Sequence, residues 1–179
     1  MTRFFFSSSL LLVFVLVSNL SVAQNSLKGS YWVSAGLGAA PIPSAMIAVG
    51  YEFADRPTLA VLRYVDNRQL LSDNLPGIKV KEIGLLYGIK TGKFRFSTGL
   101  SGVWGVNRGK YLSSDPDPLT YGSNYYEPVR YMTVGVPGEI RFMTSNKDIG
   151  IGITAFGNLN AQRSFAGLNL SFYIGQMAR

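Results

Sequence analysis

Phe94-Arg-Phe-Ser-Thr-Gly-Leu-Ser-Gly-Val-Trp104 decides the fold. Phe94, Phe96, Leu100 and Trp104 fall on one parity, and Arg95, Ser97, Gly99 and Ser101 on the other. An extended chain puts these two sets on opposite faces, whereas a helix would scatter both around its axis. The same rule governs two later stretches. Ile149, Ile151, Ile153 and Ala155 alternate with Gly150, Gly152 and Thr154. Ala166, Leu168, Leu170, Phe172 and Ile174 alternate with Gly167, Asn169, Ser171 and Tyr173.

Extended along the chain, the period of two predicts eight strands, near 30–40, 44–53, 58–66, 79–90, 93–106, 128–143, 148–159 and 164–175. Eight is the smallest common number for a closed membrane barrel. Several of these strands exceed the ~9–11 residues that a tilted strand needs to cross hydrocarbon. The third is ambiguous, because Leu59, Val61 and Val65 share parity with Arg63 against Ala60, Leu62 and Tyr64. The connections fall into two length classes. Ala54 to Pro57, Thr91-Gly92 and Thr144 to Lys147 are short turns, while Asn67 to Ile78 and Asn107 to Glu127 are long loops. Short turns on one side and long loops on the other are the habit of bacterial outer-membrane barrels. Tyr31, Tyr51, Phe53, Tyr87, Phe94, Phe96, Phe142 and Phe172 all gather at the short-turn end, as an interfacial aromatic girdle would.

Which face meets the core must be argued from the polar parity. A soluble barrel would show water many Lys and Glu there, whereas this face is mostly Gly, Ser, Thr and Asn with isolated charges. Those charges are Glu52, Arg63, Glu82, Arg95, Glu139 and Arg141, with Arg63 placed by its charge alone. A Lys or Arg at mid-depth on a lipid face costs ~2–4 kcal/mol, so all six are expected to point inward as a lumen polar network. The fold class is therefore all-β, an eight-stranded antiparallel up-and-down transmembrane β-barrel with a plugged polar lumen.

The whole chain fits this reading. Its 179 residues carry 17 Lys plus Arg against 10 Asp plus Glu, with no Cys and no His. That length suits one domain. The missing cysteine excludes disulfides and thiolate chemistry, and the missing histidine excludes Ser-His-Asp catalysis and imidazole ligation. Residues 1–23 resemble a secretory signal peptide: Arg3, an apolar run from Leu10 to Val17, and small residues at Ser21-Val22-Ala23 before Gln24. Cleavage near Ala23 would leave 24–179 as the barrel, with 16 bases against 10 acids. In an exported protein the anions met by such a surface are lipid headgroups and envelope polysaccharides, not nucleic acid.

In architecture the sequence resembles the small outer-membrane barrels of the OmpA and OmpX kind. In detail it is similar to a Bacteroidetes-type outer-membrane β-barrel family of unassigned function. The residues that carry the likeness are Val80-Lys-Glu-Ile-Gly-Leu-Leu-Tyr-Gly88, Val134-Gly-Val-Pro-Gly-Glu139, Ile149-Gly-Ile-Gly152, Ser164-Phe-Ala-Gly167 and the Ala23-Gln24 junction. They describe strand shape, not chemistry.

No enzyme motif survives inspection, and no cofactor or metal is expected. Gly99-Leu-Ser101-Gly102 lacks the glycine spacing of a nucleophile elbow, and Asp115-Pro-Asp117-Pro118 lacks the rest of a Ca²⁺ loop. The candidate binding loop is 107–127. Its Arg108, Lys110, Tyr111, Tyr121, Tyr125 and Tyr126 mix charge with aromatic faces, as surfaces for envelope polysaccharide or protein do. Tyrosines also pack loops onto barrel rims. Three other functions stay open: a narrow channel, a soluble periplasmic lipocalin-like barrel holding an apolar ligand, and an enzyme using carboxylates such as Glu52 and Glu139.

Overall fold

The computed structural model describes residues 29–70, 72–115, 124–146 and 148–176. The expected signal peptide lies outside them, as do Tyr121 and Asp117 of the long loop. Nine strands follow in chain order: β1 (Gly29–Ala39), β2 (Pro43–Phe53), β3 (Thr58–Arg68), β4 (Asn74–Leu75), β5 (Lys79–Thr91), β6 (Phe94–Ser114), β7 (Asn124–Asn146), β8 (Ile149–Asn160) and β9 (Phe165–Ile174). Eight of them form a ring in which each pairs antiparallel with its neighbour in the chain, the two-residue β4 standing apart. β1 closes the ring against β9, from Val33 opposite Ile174 to Ala39 opposite Leu168. Closure leaves the barrel without a free sheet edge along its wall.

The turn between β5 and β6 depends on Gly92, whose φ is +57°. No neighbouring atom lies near a side chain built at that position, so the requirement for glycine is conformational. β1, β2, β3, β5, β8 and β9 lie within two residues of their expected bounds. β6 and β7 do not. β6 runs to Ser114 and β7 begins at Asn124, so most of the expected loop 107–127 is a strand extension. Its ladder carries irregularities between Arg108, Tyr111 and Ser113. Beyond Trp104 one parity mixes Val106 and Leu112 with Arg108 and Lys110, and the other mixes Tyr111 with Gly, Asn and Ser, so the alternation that identifies a strand is lost although backbone pairing continues. The other long loop is likewise shortened by the end of β3 at Arg68 and by β4, which pairs parallel with Asn124 and Tyr125.

The apolar parity faces outward. Leu37 is 74% exposed, Leu100 68%, Met132 81% and Val134 71%, while Arg63, Glu82 and Arg141 are at 0%. On β6 the stretch from Phe94 to Trp104 spans eleven residues, about 25 Å once strand tilt is allowed for. Of the eight girdle aromatics, Phe53, Tyr87, Phe94, Phe96, Phe142 and Phe172 are exposed, and Tyr31 and Tyr51 are half-buried opposite each other.

The interior holds more than small and charged residues. Trp32, Leu59, Val61, Leu86, Met143 and Tyr173 form one buried apolar cluster, and Met46, Val65, Val80, Val103, Phe156 and Phe165 another. Packing explains this departure from the sequence reading: inward glycines leave space that large inward residues on other strands fill, Gly50 against the Trp32 ring and Gly152 beside Tyr173. It also settles β3, whose Leu59, Val61, Arg63 and Val65 all face the lumen.

Candidate functional site

Arg63 projects from β3 into the bore. Its Nε and Nη2 donate to Glu82 Oε1 on β5 at 3.0 and 2.6 Å, and its Nη1 donates to Glu139 Oε2 on β7 at 3.1 Å. Nη1 and Nη2 also reach the carbonyls of Gly138 and Gly157, at 3.4 and 3.2 Å. Gly157 belongs to β8, four places round the ring from β3, so this one side chain bridges diametrically opposite walls.

Arg141 bridges the bore from β7. Its Nε and Nη2 donate to Glu139 at 2.6 and 2.9 Å, and Nη1 donates to Ser34 Oγ and Tyr173 OH at 3.4 and 3.3 Å. Nη2 also contacts Met46 Sδ on β2, the strand opposite β7, at 3.7 Å. The guanidinium sits over the Trp32 ring, 4.9 Å from its centroid. Arg141, Glu139, Arg63 and Glu82 thus form a chain of two cations and two anions, with all four side chains fully buried. Asn158 completes it by donating to Glu82 Oε2 at 2.9 Å and to Ser101 Oγ at 2.7 Å. Isolated charges could not remain ionised there, but pairing, bidentate between Arg141 and Glu139, supplies each with the partner that burial demands.

Glu52 and Arg95 belong to a second group nearer the short turns. Glu52 Oε1 accepts from Arg95 Nε at 2.8 Å and Trp32 Nε1 at 3.2 Å, and its Oε2 accepts from Lys90 Nζ at 2.7 Å. This cluster floors a vestibule of about 700 Å³ that opens between the short turns and is lined by Ser30, Glu52, Asp55, Arg56 and Lys90. Trp32, a member of the first apolar cluster, touches both ionic groups: it donates to Glu52 and its ring lies under the Arg141 guanidinium. The six inward charges therefore divide into a four-member and a two-member group. The sequence reading missed Lys90, Trp32, Asn158 and Tyr173 as members. Asn158 and Lys90 lie on inward parities, so their direction was readable, whereas reach across the bore is not a local property.

At the other end, the loop residues act mainly on one another. Arg108 donates through Nε to Pro76 O at 3.1 Å, and through Nη2 to Gln69 Oε1 at 2.6 Å, Ser72 Oγ at 2.9 Å and Asn74 O at 2.7 Å. It also lies over the Tyr126 ring, which packs edge-on against Tyr111 with centroids 5.6 Å apart. Arg108 thus ties the two long connections together. Tyr111 OH shares a hydrogen bond with Ser114 Oγ, Tyr125 stands opposite Ser113, and Lys110 is exposed. No cluster of His, Cys, Asp or Glu suited to a metal occurs among the described residues.

This geometry can be set beside known structures. No family model and no curated protein matches the sequence. Among solved structures, the crystal structure of the N-terminal β-barrel domain of Pseudomonas aeruginosa OprF superposes with a TM-score of 0.51. The match covers 82% of this chain and 98% of that domain at 10% identity. The chain has the fold of an eight-stranded outer-membrane barrel. Neisserial surface protein A is also similar, with a TM-score of 0.42 and 13% identity over 83% of this chain and 96% of that one. At 10% identity the likeness to the OprF domain shows the fold alone.

Proposed function

We propose that this protein is a non-enzymatic integral outer-membrane barrel of the Bacteroidetes-type family its strand motifs resemble, exported by a signal peptide cleaved near Ala23. The observation that carries the reading is the reversal of sides: exposed Leu, Ile, Val and Phe form a continuous outward belt, while two arginines and two glutamates are sealed inside. Water would make that arrangement unfavourable on both counts, and hydrocarbon makes it favourable on both. In an outer-membrane fraction, unboiled protein is expected to migrate differently from boiled protein in detergent gels. Recovery in a detergent-free soluble fraction, with an apolar ligand bound, would instead favour the lipocalin-like alternative.

The lumen is read as a structural plug and not a conduit, because Arg63 and Arg141 each bridge opposite strands. Planar-bilayer recordings of the purified protein are expected to show no steady, large conductance. A stable open state in such recordings would favour the narrow-channel reading.

Binding is assigned to the tip between β6 and β7, with envelope polysaccharide or another envelope protein as its partner. Lys110 and Tyr111 are exposed there, while Arg108 and Tyr126 brace the ribbon beneath. Deleting 112–122 should leave the barrel heat-modifiable and abolish partner binding; retained binding would move the role elsewhere.

A further inference from the structure

Four cations stand outward in adjacent places just above the apolar belt, on the side of the long loops. Strand register sets Arg68 of β3 opposite Lys79 of β5, Lys79 opposite Val106 of β6, and Val106 opposite Arg130 of β7. One level towards the belt, Asp66 faces Lys81, Lys81 faces Trp104, and Trp104 faces Met132. Asp66 is the single acid at these positions. It accepts from Arg68 Nη2 at 2.8 Å, with Lys81 Nζ at 3.7 Å. Lys79 and Arg130 are exposed and form no ion pair among the described residues. The cluster carries four positive charges against one negative.

What lies beneath is apolar. The Tyr64 and Trp104 rings neighbour each other below the cations, with centroids 6.5 Å apart. Exposed Leu62, Ile83, Leu85 and Leu100 continue the wall. An outward groove of about 220 Å³ is lined by Leu37, Pro43, Ser44, Ala45 and Leu70, with Asp66 and Arg68 themselves at its edge. From Arg68 to Arg130 is three inter-strand steps, about 14 Å at ~4.8 Å each, which suits a disaccharide head with a phosphate at either end. Arginine and lysine are the groups that recognise phosphate, and a largely apolar groove beside Arg68 suits an acyl chain.

We propose that this face is a binding site for a phosphorylated acyl glycolipid of the outer leaflet, with Arg68, Lys79, Lys81 and Arg130 holding the phosphates and the Leu37/Ala45/Leu70 groove an acyl chain. The site rests on the membrane placement proposed above. It is separate from the loop tip: its ligand is a lipid within the membrane, not a partner beyond it.

The test uses the full mature chain in phosphatidylcholine nanodiscs doped with diphosphoryl lipid A or with its fully dephosphorylated form, retention being read by native mass spectrometry. The phosphorylated lipid should be retained preferentially, and inorganic phosphate at millimolar concentration should not displace it. The triple variant Lys79→Gln, Lys81→Gln and Arg130→Gln should weaken retention on the order of a hundredfold, from about 1 kcal/mol per charge at a membrane surface. Asp66→Asn, which removes the only acid, should tighten it. Equal retention of both lipids, displacement by free phosphate, or indifference to both sets of substitutions in inserted protein would overturn the lipid site alone. A chain that stays soluble without detergent would overturn the membrane placement and the site together.

Discussion

The two halves of β6 follow different rules. From Phe94 to Trp104 its residues alternate cleanly, with exposed Phe94, Phe96 and Leu100 set against buried Arg95, Ser97 and Ser101. From Gly105 to Ser114 the same strand continues with no buried residue, and its ladder with β7 slips at Tyr111. Hydrogen bonding persists through both halves, so the difference lies in what surrounds them. The first half separates two unlike media and its sequence must choose sides; the second stands between like ones and need not. On the membrane placement proposed above, alternation reports the boundary of the hydrocarbon, not the boundary of the strand.

Substitutions put that contrast to the test. The largest effect is expected inside the first half's lumen. Glu139→Ala leaves Arg141 without its carboxylate and strips Arg63 of one of two, which should cost ~3–5 kcal/mol in urea unfolding of the lipid-inserted barrel. Next is the outer face: Leu100→Arg should cost ~2–4 kcal/mol in the same assay, against ~0.5 kcal/mol or less for Leu112→Arg in the outer half. Equal penalties at Leu100 and Leu112 would erase the proposed boundary between them.

Gly92→Ala is expected to cost ~1 kcal/mol, because the turn holds that residue at φ +57° in open space. The smallest effect on global stability belongs to Arg108→Ala. Its four donated bonds hold Gln69, Ser72, Asn74 and Pro76 to the β6 extension, outside the belt. Limited proteolysis should cut near these residues faster in the variant, while the urea midpoint stays nearly unchanged. A large shift in midpoint would mean that the rim and the belt unfold as one unit.

The same contrast explains how far the sequence could be read. The eight wall strands and the directions of Glu52, Glu82, Arg95, Glu139 and Arg141 follow from parity, because on the proposed membrane placement a lipid face punishes the wrong choice. The extensions of β6 and β7 were hidden where no medium enforces parity, and β4 is too short for any pattern. Val61, Val65, Val80, Leu86 and Val103 were illegible for a different reason: Val and Leu are accepted both by lipid and by a packed interior. Pairing across the bore was equally out of reach. Glu82 meets Arg63 and Asn158 because the ring brings β3, β5 and β8 together, and no local window contains that closure. Arg108 reads as a ligand-binding cation by composition, and only the fold reveals it as a strut.

The sidedness of the wall can be measured directly, since a chain without cysteine accepts a single spin label at any chosen position. Labels at successive sites from Gly99 to Trp104 in lipid bilayers should show oxygen accessibility that alternates, high at Leu100→Cys and Gly102→Cys and low at Ser101→Cys and Val103→Cys. The opposite phase, or uniform access to a water-soluble relaxant along the segment, would contradict the account.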